Sequence, residues 1–306
     1  LNKIVDQWDA VRKSLRLTTL HPEWVNTVKQ QLVWEPGMVR KLTDDERLKP
    51  WRAASRLVTA DKFDDALVFL KSKIGESRFV AFDIETSSVE SDDWLTSTGN
   101  PEGVDAIGSV LTGYVITFGC NSQYTYYVSV DHADTHNVSM SQARRLLELC
   151  FSKEIVIQNT AFELPVLYGA QDEDGSLWRD HWKKYDAGGM IPNIRDTLLE
   201  GSYVDENIKL GLKFRSKHHL GYDQATYQET MTLEGEKNTL PKGGQLISFD
   251  AETGLGKRMY KMCELSAKHV FGYGTDDTIC TAALHNFYKL HMQLDHHYAV
   301  YLEVEL

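Results

Sequence analysis

The chain has 306 residues, of which 42% are hydrophobic and 25% are charged, and its formal net charge is −11. This size and composition indicate a globular protein with one large domain or two modest ones. The acidic balance argues against binding nucleic acid through bulk positive charge, but an enzyme that uses metal ions and a small basic patch stays open. No stretch approaches the roughly 18 apolar residues of a membrane span, so we predict no membrane partner.

The N-terminus and the cysteines bear on location. The N-terminal sequence LNKIVDQWDAVRKSL is amphipathic rather than an apolar block, so we expect no signal peptide. The chain begins at Leu1 rather than Met, and we expect a fragment or a processed product. The cysteines lie far apart and form no CxxC pair: Cys120, Cys150, Cys263 and Cys280. This usage is typical of reduced core thiols, so we predict a cytoplasmic protein.

Residues 1–75 are predicted to form a helical N-terminal region of unknown role. Apolar residues at positions 4, 8, 11 and 15 share one helical face, and a second helix is predicted near Pro22. The segment DKFDDALVFLKSKIG predicts a third helix, which Asp61 caps and Gly75 ends.

From residue 78 the pattern changes to alternating strands and helices. Residues 78–84 predict a buried strand, and VLTGYVITFG and YTYYVSV predict two more at short spacing, which indicates an antiparallel meander. A capped helix (SMSQARRLLELCFS), a buried strand (EIVIQN) and another helix (TAFELPVLYGA) are predicted to follow. This order predicts an α/β fold with a mixed central sheet flanked by helices.

The remaining segments are assigned by periodicity alone. Residues 171–189 and 231–256 lack periodicity and are predicted to be long surface loops or insertions. The chain is predicted to close with helices at about residues 258–270 and 273–294.

Two acidic residues, Asp83 and Glu85, end the first predicted strand of the sheet. Side chains two positions apart in a strand share a face, so these acids are expected to lie side by side, with Phe82 and Ile84 on the other face. Like charges at this distance repel each other and resist losing water, and a divalent cation would offset that cost. The alternative is a strand end that turns into solvent.

Two later stretches add candidates for the same site. Glu163 follows the strand that ends in Gln158–Asn159, and Tyr273 and Asp277 lie four positions apart, hence on one helical face. Together with Asp83 and Glu85 these acids predict a four-carboxylate cluster, which needs cations to stay charged. Oxygen ligands favour Mg²⁺ or Mn²⁺.

The motifs DIET, QNxxFE and YxxxD, in this order, resemble the three exonuclease motifs of the DEDD superfamily, in its tyrosine-bearing branch. They are most similar to the 3′–5′ proofreading domain of family A, polymerase I-like DNA polymerases, including phage enzymes. Thr86 favours these polymerases over ribonuclease D-like enzymes. DTLLEGSYV is also similar to a polymerase segment, and the tail HHYAVYLEVEL resembles the entry into a polymerase domain. The resemblance covers roughly residues 76 to 306.

The resemblance implies a ribonuclease H-like fold and two-metal-ion hydrolysis of the 3′-terminal phosphodiester of DNA, as in proofreading during replication. It implies an exonuclease domain over residues 76–295 and the start of a C-terminal polymerase domain over residues 296–306. The expected partners are a single-stranded DNA 3′ end or primer–template DNA, and the polymerase domain of the same chain. A phage-encoded protein would act in the cytoplasm of its bacterial host.

The resemblance also assigns roles to the site residues. Asp83 would bridge both ions, Glu85 and Asp277 would complete the nucleophile-side site, and Tyr273 would orient the attacking water. Glu163 stands where the family has aspartate, so its contact with the second ion, direct or through water, is open. The residues expected to contact the substrate are Thr86, Val89, Asn159 and Phe162.

Several alternatives stay open at this point. Asn159 would cap the helix that follows it or hold substrate, and Asp196 is expected to be a helix cap or to support the ligands rather than to bind metal. The basic segment IKLGLKFRSKHHLGY predicts either a solvated helix face or a patch that contacts phosphate. The rival functions are a DEDD ribonuclease that trims RNA 3′ ends and a non-catalytic clamp domain with the exonuclease fold.

Overall fold

The structure is a computed structural model that describes residues 55–88, 106, 108–119, 124–236, 239–294 and 300–305. The two helices predicted before residue 55 lie outside these residues, as do Val89 and Cys120. The cysteines that the structure describes are free, as predicted: Cys150, Cys263 and Cys280. Among the described helices, none combines the length and the apolar character of a membrane span.

A six-stranded sheet forms the centre of the molecule. Its strands are β1 (Arg56–Val58), β2 (Phe79–Ser88), β3 (Ser109–Phe118), β4 (Thr125–Ser129), β5 (Glu154–Ile157) and β6 (Ile194–Asp196). The described α-helices are α1 (Phe63–Lys73), α2 (Met140–Cys150), α3 (Thr160–Gly169), α4 (Trp178–Trp182), α5 (Thr197–Val204), α6 (Leu212–Arg215), α7 (Tyr227–Met231) and α8 (Ala267–Leu294).

The strand order confirms the predicted fold class. In space the strands follow the order β1-β4-β3-β2-β5-β6. The strands β2, β3 and β4 form the predicted antiparallel meander, whereas β5 pairs parallel with β2, and β6 parallel with β5. If β1 is left out and β2 is counted as strand 1, the remaining five strands follow the spatial order 3-2-1-4-5. The strand counted as 2, which is β3, runs antiparallel to its neighbours. The chain therefore has an α/β, ribonuclease H-like architecture with a mixed central sheet flanked by helices.

The alternation of side chains along β2 divides the two layers that cover the sheet. Val80, Phe82 and Ile84 join the larger core, which α1 and α2 cover. Phe79 and Ala81 point to the opposite face, where they meet Ala282 of α8. Because side chains alternate with a period of two, the odd-numbered Asp83 and Glu85 fall on the face that α8 covers.

The N-terminal part of the described chain belongs to the same core as the sheet. The strand β1 pairs parallel with β4, and α1 buries Phe63, Leu67 and Leu70 in the larger core. The predicted boundary between residues 75 and 76 therefore passes through one packed unit. At the other end, Tyr301 packs against α8, and its hydroxyl accepts a hydrogen bond from the Asp196 amide at 2.9 Å. That residues 296–306 begin a polymerase domain stays a prediction.

The start of α1 differs from the predicted cap. A 3₁₀ turn over Ala60–Lys62 precedes the helix, and Asp61 lies inside that turn. Its carboxylate accepts a hydrogen bond from the Thr59 hydroxyl at 2.7 Å rather than from a backbone amide at the start of α1. The prediction that Asp61 caps α1 was wrong, because the chain enters the helix one turn earlier in 3₁₀ form.

The long loops predicted over residues 171–189 and 231–256 contain regular structure. The second holds most of a three-stranded antiparallel sheet made of β7 (Thr232–Glu236), β8 (Gln245–Phe249) and β9 (Leu255–Met259). The first contains α4, whose Trp178 and Trp182 are fully buried. A five-residue helix and three five-residue strands, two of which carry glycine and charge, show no clear periodicity, which is why loops were predicted here.

The C-terminal helices are also corrected. Residues 255–259 form β9, and a single helix, α8, runs from Ala267 to Leu294. The prediction of two helices, at 258–270 and 273–294, was therefore wrong. The helix continues without a break through Gly272 and Gly274.

Candidate active site

The strand β2 presents two carboxylates on the face covered by α8. Glu85 is almost fully buried, and Asp83 is partly exposed. The pairing between β2 and β3 shifts register between Glu85 and Thr86, because β3 carries one extra residue, Thr112, between the partners of these two residues. Such an extra residue disrupts the ladder next to the acidic pair. Thr86 lies just beyond this shift and is half-buried.

The helix α8 passes directly over Glu85. A Cβ atom added to Gly274 would collide with Glu85 Oε1 and would also come within 2.9 Å of the Tyr127 ring. Glycine at this position therefore lets the helix backbone approach the strand. Tyr273 precedes Gly274, and Asp277 lies one helical turn further on, so this close approach brings the predicted YxxxD pair to the strand carboxylates.

The helix α3 adds Glu163, which is buried and hydrogen-bonded to the Asp83 carboxyl group. Between β5 and α3 the chain turns at Asn159, whose φ of 71° lies in the left-handed region that asparagine tolerates better than most residues. The turn places the first two turns of α3, with Glu163, beside the end of β2.

The cap of α3 comes from Asp196 rather than from Asn159. The Asn159 side chain makes no capping hydrogen bond. Instead, the Asp196 carboxylate accepts hydrogen bonds from the backbone amides of Asn159 (3.0 Å), Thr160 (2.8 Å) and Leu198 (2.8 Å). Asp196 therefore stabilises the starts of both α3 and α5, as its predicted role as a cap required. Phe162 is half-buried and packs against the larger core.

The carboxyl groups of the site are held in an environment that favours their neutral forms. Burial, reinforced by the charge of Asp277, raises the pKa of Asp83 to about 7. Burial and the charge of Asp83 raise the pKa values of Glu85 and Glu163 well above their usual range. Burial also raises the pKa of Asp277. Carboxyl groups at such close quarters, removed from water, need positive charge nearby to stay ionised.

Asp277 is held by two side chains from the segment that precedes α7. Lys213 Nζ lies 2.9 Å from Oδ1 and 3.3 Å from Oδ2 of Asp277, and Gln224 Nε2 donates to Oδ1 at 2.6 Å. The Lys213 ammonium also lies 4.2 Å from the centre of the Tyr273 ring. The neighbouring Asp276 instead accepts a hydrogen bond from the Tyr222 hydroxyl at 2.5 Å.

The donor atoms of the cluster fit a hard divalent cation by chemistry. Glu85 Oε1 and Glu163 Oε2 are buried and have no hydrogen-bond partner within the described part of the chain, so both are available as ligands. Every candidate ligand is a carboxylate oxygen, which Mg²⁺ and Mn²⁺ prefer. Among the described residues, however, no three acidic, histidine or cysteine side chains are grouped closely enough to hold a metal ion. Lys213 and Gln224 occupy the oxygens of Asp277 in this arrangement.

The basic segment predicted from the sequence divides into residues with different environments. The Arg215 guanidinium is buried and donates to backbone carbonyls, including those of Lys209 (2.9 Å) and Asp205 (2.8 Å). Lys217 is exposed and pairs with Asp223 at 2.5 Å. Arg215 is therefore a structural residue and not part of a phosphate-contacting patch, whereas Lys213 reaches the acidic cluster.

Sequence reasoning did not identify two residues of this site. Gln224 belongs to no recognisable sequence motif, and its contact with Asp277 depends on the path of the chain between α6 and α7. Gly274 carried a usable signal, because a glycine inside a helix costs about 1 kcal/mol relative to alanine and often marks a close approach of backbone and neighbour.

Similar solved structures share the general architecture. No family model and no curated protein sequence matches the chain. The RNase D of Trypanosoma brucei in complex with GMP aligns at 12% identity and a TM-score of 0.45, over 82% of this chain and 65% of that chain. The Nibbler EXO domain of Aedes aegypti aligns at 11% identity and a TM-score of 0.41, over 79% of this chain and 89% of that one.

A third structure, S. pombe Pop2p in its Mg²⁺- and Mn²⁺-bound form, aligns at 8% identity and a TM-score of 0.37, over 78% of this chain and 93% of that chain. The fold assignment rests on the order and direction of the strands.

Proposed function

We propose that this chain is a metal-dependent 3′–5′ exonuclease that removes the terminal nucleotide from single-stranded DNA, as the proofreading part of a family A-like DNA polymerase. One observation carries the proposal. Three chain segments far apart in sequence bring carboxyl groups together at one end of the sheet: β2 with Asp83 and Glu85, α3 with Glu163, and α8 with Asp277. The order of the DIET, QNxxFE and YxxxD motifs supports the same function.

Asp83, Glu85, Glu163 and Asp277 would hold two divalent cations, Mg²⁺ or Mn²⁺, which stabilise the entering and leaving oxygens of an in-line displacement when bound. Tyr273 would orient the attacking water through its hydroxyl, because its side chain lies on the same helical face as Asp277. Burial raises the pKa of Tyr273 well above its usual range, so this hydroxyl stays protonated and can donate a hydrogen bond.

The substrate would enter beside the register shift between β2 and β3. Thr86 lies immediately past Glu85, and Asn159 and Phe162 lie at the start of α3, so these residues can contact the last nucleotides of a strand. Single-stranded ends are generally held by stacking and by contacts with the backbone rather than by base readout. The choice of DNA rests on Thr86 and on the similarity of the flanking segments to polymerases; RNA is the competing substrate.

The test is hydrolysis of matched single-stranded DNA and RNA oligonucleotides labelled at the 5′ end, in Mn²⁺, Mg²⁺ and chelator. The proposal expects metal-dependent shortening of the DNA from the 3′ end and little shortening of the RNA. Faster shortening of the RNA would assign the chain to ribonucleases with the same chemistry. No shortening of either oligonucleotide, with metal binding absent, would favour a non-catalytic clamp.

A further inference from the structure

Lys213 lies inside the acidic cluster although it comes from none of the three motifs. Its ammonium contacts both carboxylate oxygens of Asp277, at 2.9 and 3.3 Å, and lies over the ring of Tyr273. It is also the cation whose charge opposes the rise in pKa of Asp83, Glu85 and Asp277. The Lys213 ammonium therefore interacts electrostatically with carboxyl groups of both β2 and α8.

The environment of this ion pair differs from that of a surface salt bridge. The side chain of Asp277 is 10% exposed and that of Lys213 is 30% exposed, whereas Lys217 and Asp223 are both more than 60% exposed. Exposed pairs contribute little because water and salt screen them, and screening weakens as the charges are removed from water. Gln224, which donates to Asp277 Oδ1 at 2.6 Å, fixes the carboxylate for this contact.

We propose that Lys213 is a positioning residue that serves as a built-in counter-cation: it occupies Asp277 in the metal-free protein and competes with the divalent ion for that carboxylate. This inference rests on the proposed function, because it assumes that Asp277 is a metal ligand. Binding of the ion at Asp277 then requires the ammonium to move away, so the affinity for metal is set partly by Lys213.

The competition is tested by the affinity for Mn²⁺ in the absence of nucleic acid, measured by isothermal titration calorimetry on the full chain. Lys213→Met keeps the length of the side chain and removes the charge, so it should bind Mn²⁺ about tenfold more tightly than wild type. Lys213→Arg keeps a cation and should stay within about twofold of wild type. Lys217→Met is the matched control, because it changes the net charge equally without touching Asp277, and it should also stay near wild type.

A second measurement does not depend on a variant that folds. Amine acylation of the wild-type protein, quantified at each lysine by mass spectrometry, reports how accessible each ammonium is. Mn²⁺ should increase the labelling of Lys213 severalfold, because the ion releases it from Asp277, and should leave Lys217 unchanged.

The outcomes separate this inference from the proposed function. If wild type binds Mn²⁺ but Lys213→Met binds it equally or more weakly, or if Mn²⁺ leaves the labelling of Lys213 unchanged, Lys213 does not compete and the inference is wrong while the metal site stands. If neither wild type nor any variant binds Mn²⁺, both the metal site and the inference are wrong.

Discussion

Gly274 of α8 lies so close to Glu85 of β2 that a Cβ atom added at position 274 would collide with the Glu85 carboxylate. The contact fixes how closely the helix with Tyr273 and Asp277 approaches the strand with Asp83 and Glu85. Helix propensity alone would favour alanine over glycine at position 274. The packing against Glu85 leaves no room for the alanine methyl group.

This contact predicts opposite effects for two glycines of one helix. Gly274→Ala should lower the free energy of unfolding by about 1–3 kcal/mol, because the new methyl group meets Glu85 and the Tyr127 ring. Gly272→Ala should be neutral or should raise it by up to about 1 kcal/mol, because no described residue apart from the adjacent helix backbone lies within 4 Å of its added Cβ, and alanine favours the helix. Urea denaturation of the three proteins measures both. Equal effects at the two positions would show that α8 does not approach Glu85 this closely.

A second prediction concerns acid stability. Glu154, at the start of β5, lies 3.2 Å from Nε2 of the buried His285 and pairs with Lys289 at 3.1 Å. Burial alone would raise the pKa of Glu154, but the hydrogen bond and charge of His285, with Lys289 and Arg195, outweigh it and lower the pKa to about 2. A lowered folded-state pKa gives stability that is present above the unfolded value of 4.5 and is lost as the pH falls through about 2.

Glu154→Gln should therefore cost about 2–3 kcal/mol of unfolding free energy near neutral pH, and the cost should shrink toward zero as the pH falls through about 2. Glu76→Gln is the control, since Glu76 is 56% exposed and pairs only with Lys73 at 2.7 Å among the ion pairs of the described chain. Its cost should stay below about 1 kcal/mol. Urea titrations over this pH range give the comparison, and a cost for Glu154→Gln that does not change with pH would contradict the assigned pKa.

Tyr273 and Asp277 share a helical face but should respond differently to substitution. Tyr273→Phe removes only the hydroxyl proposed to orient water, so the rate should fall about 10-fold to 100-fold with unchanged affinity for metal. Asp277→Asn removes a proposed ligand, so affinity for metal and rate should fall together. The measurement is the rate as a function of Mn²⁺ concentration for both variants. Rescue of Tyr273→Phe by excess Mn²⁺, or a wild-type rate, would make this tyrosine a structural residue.

Strong periodicity made the centre of the fold predictable. The apolar alternation of β2 placed Asp83 and Glu85 on one face, and the four-residue spacing of Tyr273 and Asp277 placed both on one helix, as the structure shows. The sheet of β7, β8 and β9 was not predicted, because its strands are short, β7 and β9 carry glycine and charge, and the apolar residues of β8 are exposed rather than buried on one face.

Contacts that depend on the path of an irregular segment could not be predicted from the sequence. Lys213 appeared there as one cation in a basic run, alongside Arg215. Only the turns around α6 place Lys213 at Asp277 and bury Arg215 among backbone carbonyls. The sequence also could not predict that Asp196 caps α3, because Asp196 lies 37 positions from Asn159 along the chain.

The proposed function makes the carboxylates of β2 essential for metal-dependent removal of a 3′-terminal nucleotide. Its most direct test is the initial rate of mononucleotide release from 3′-labelled single-stranded DNA in Mn²⁺, for wild type and for the double variant Asp83→Asn with Glu85→Gln. The double variant keeps the shape of both side chains and removes buried like charges, so its melting temperature without metal should not fall. Wild type should release mononucleotide in the presence of Mn²⁺, and this folded variant should release none. Equal rates for the two proteins would show that Asp83 and Glu85 are not required for the reaction.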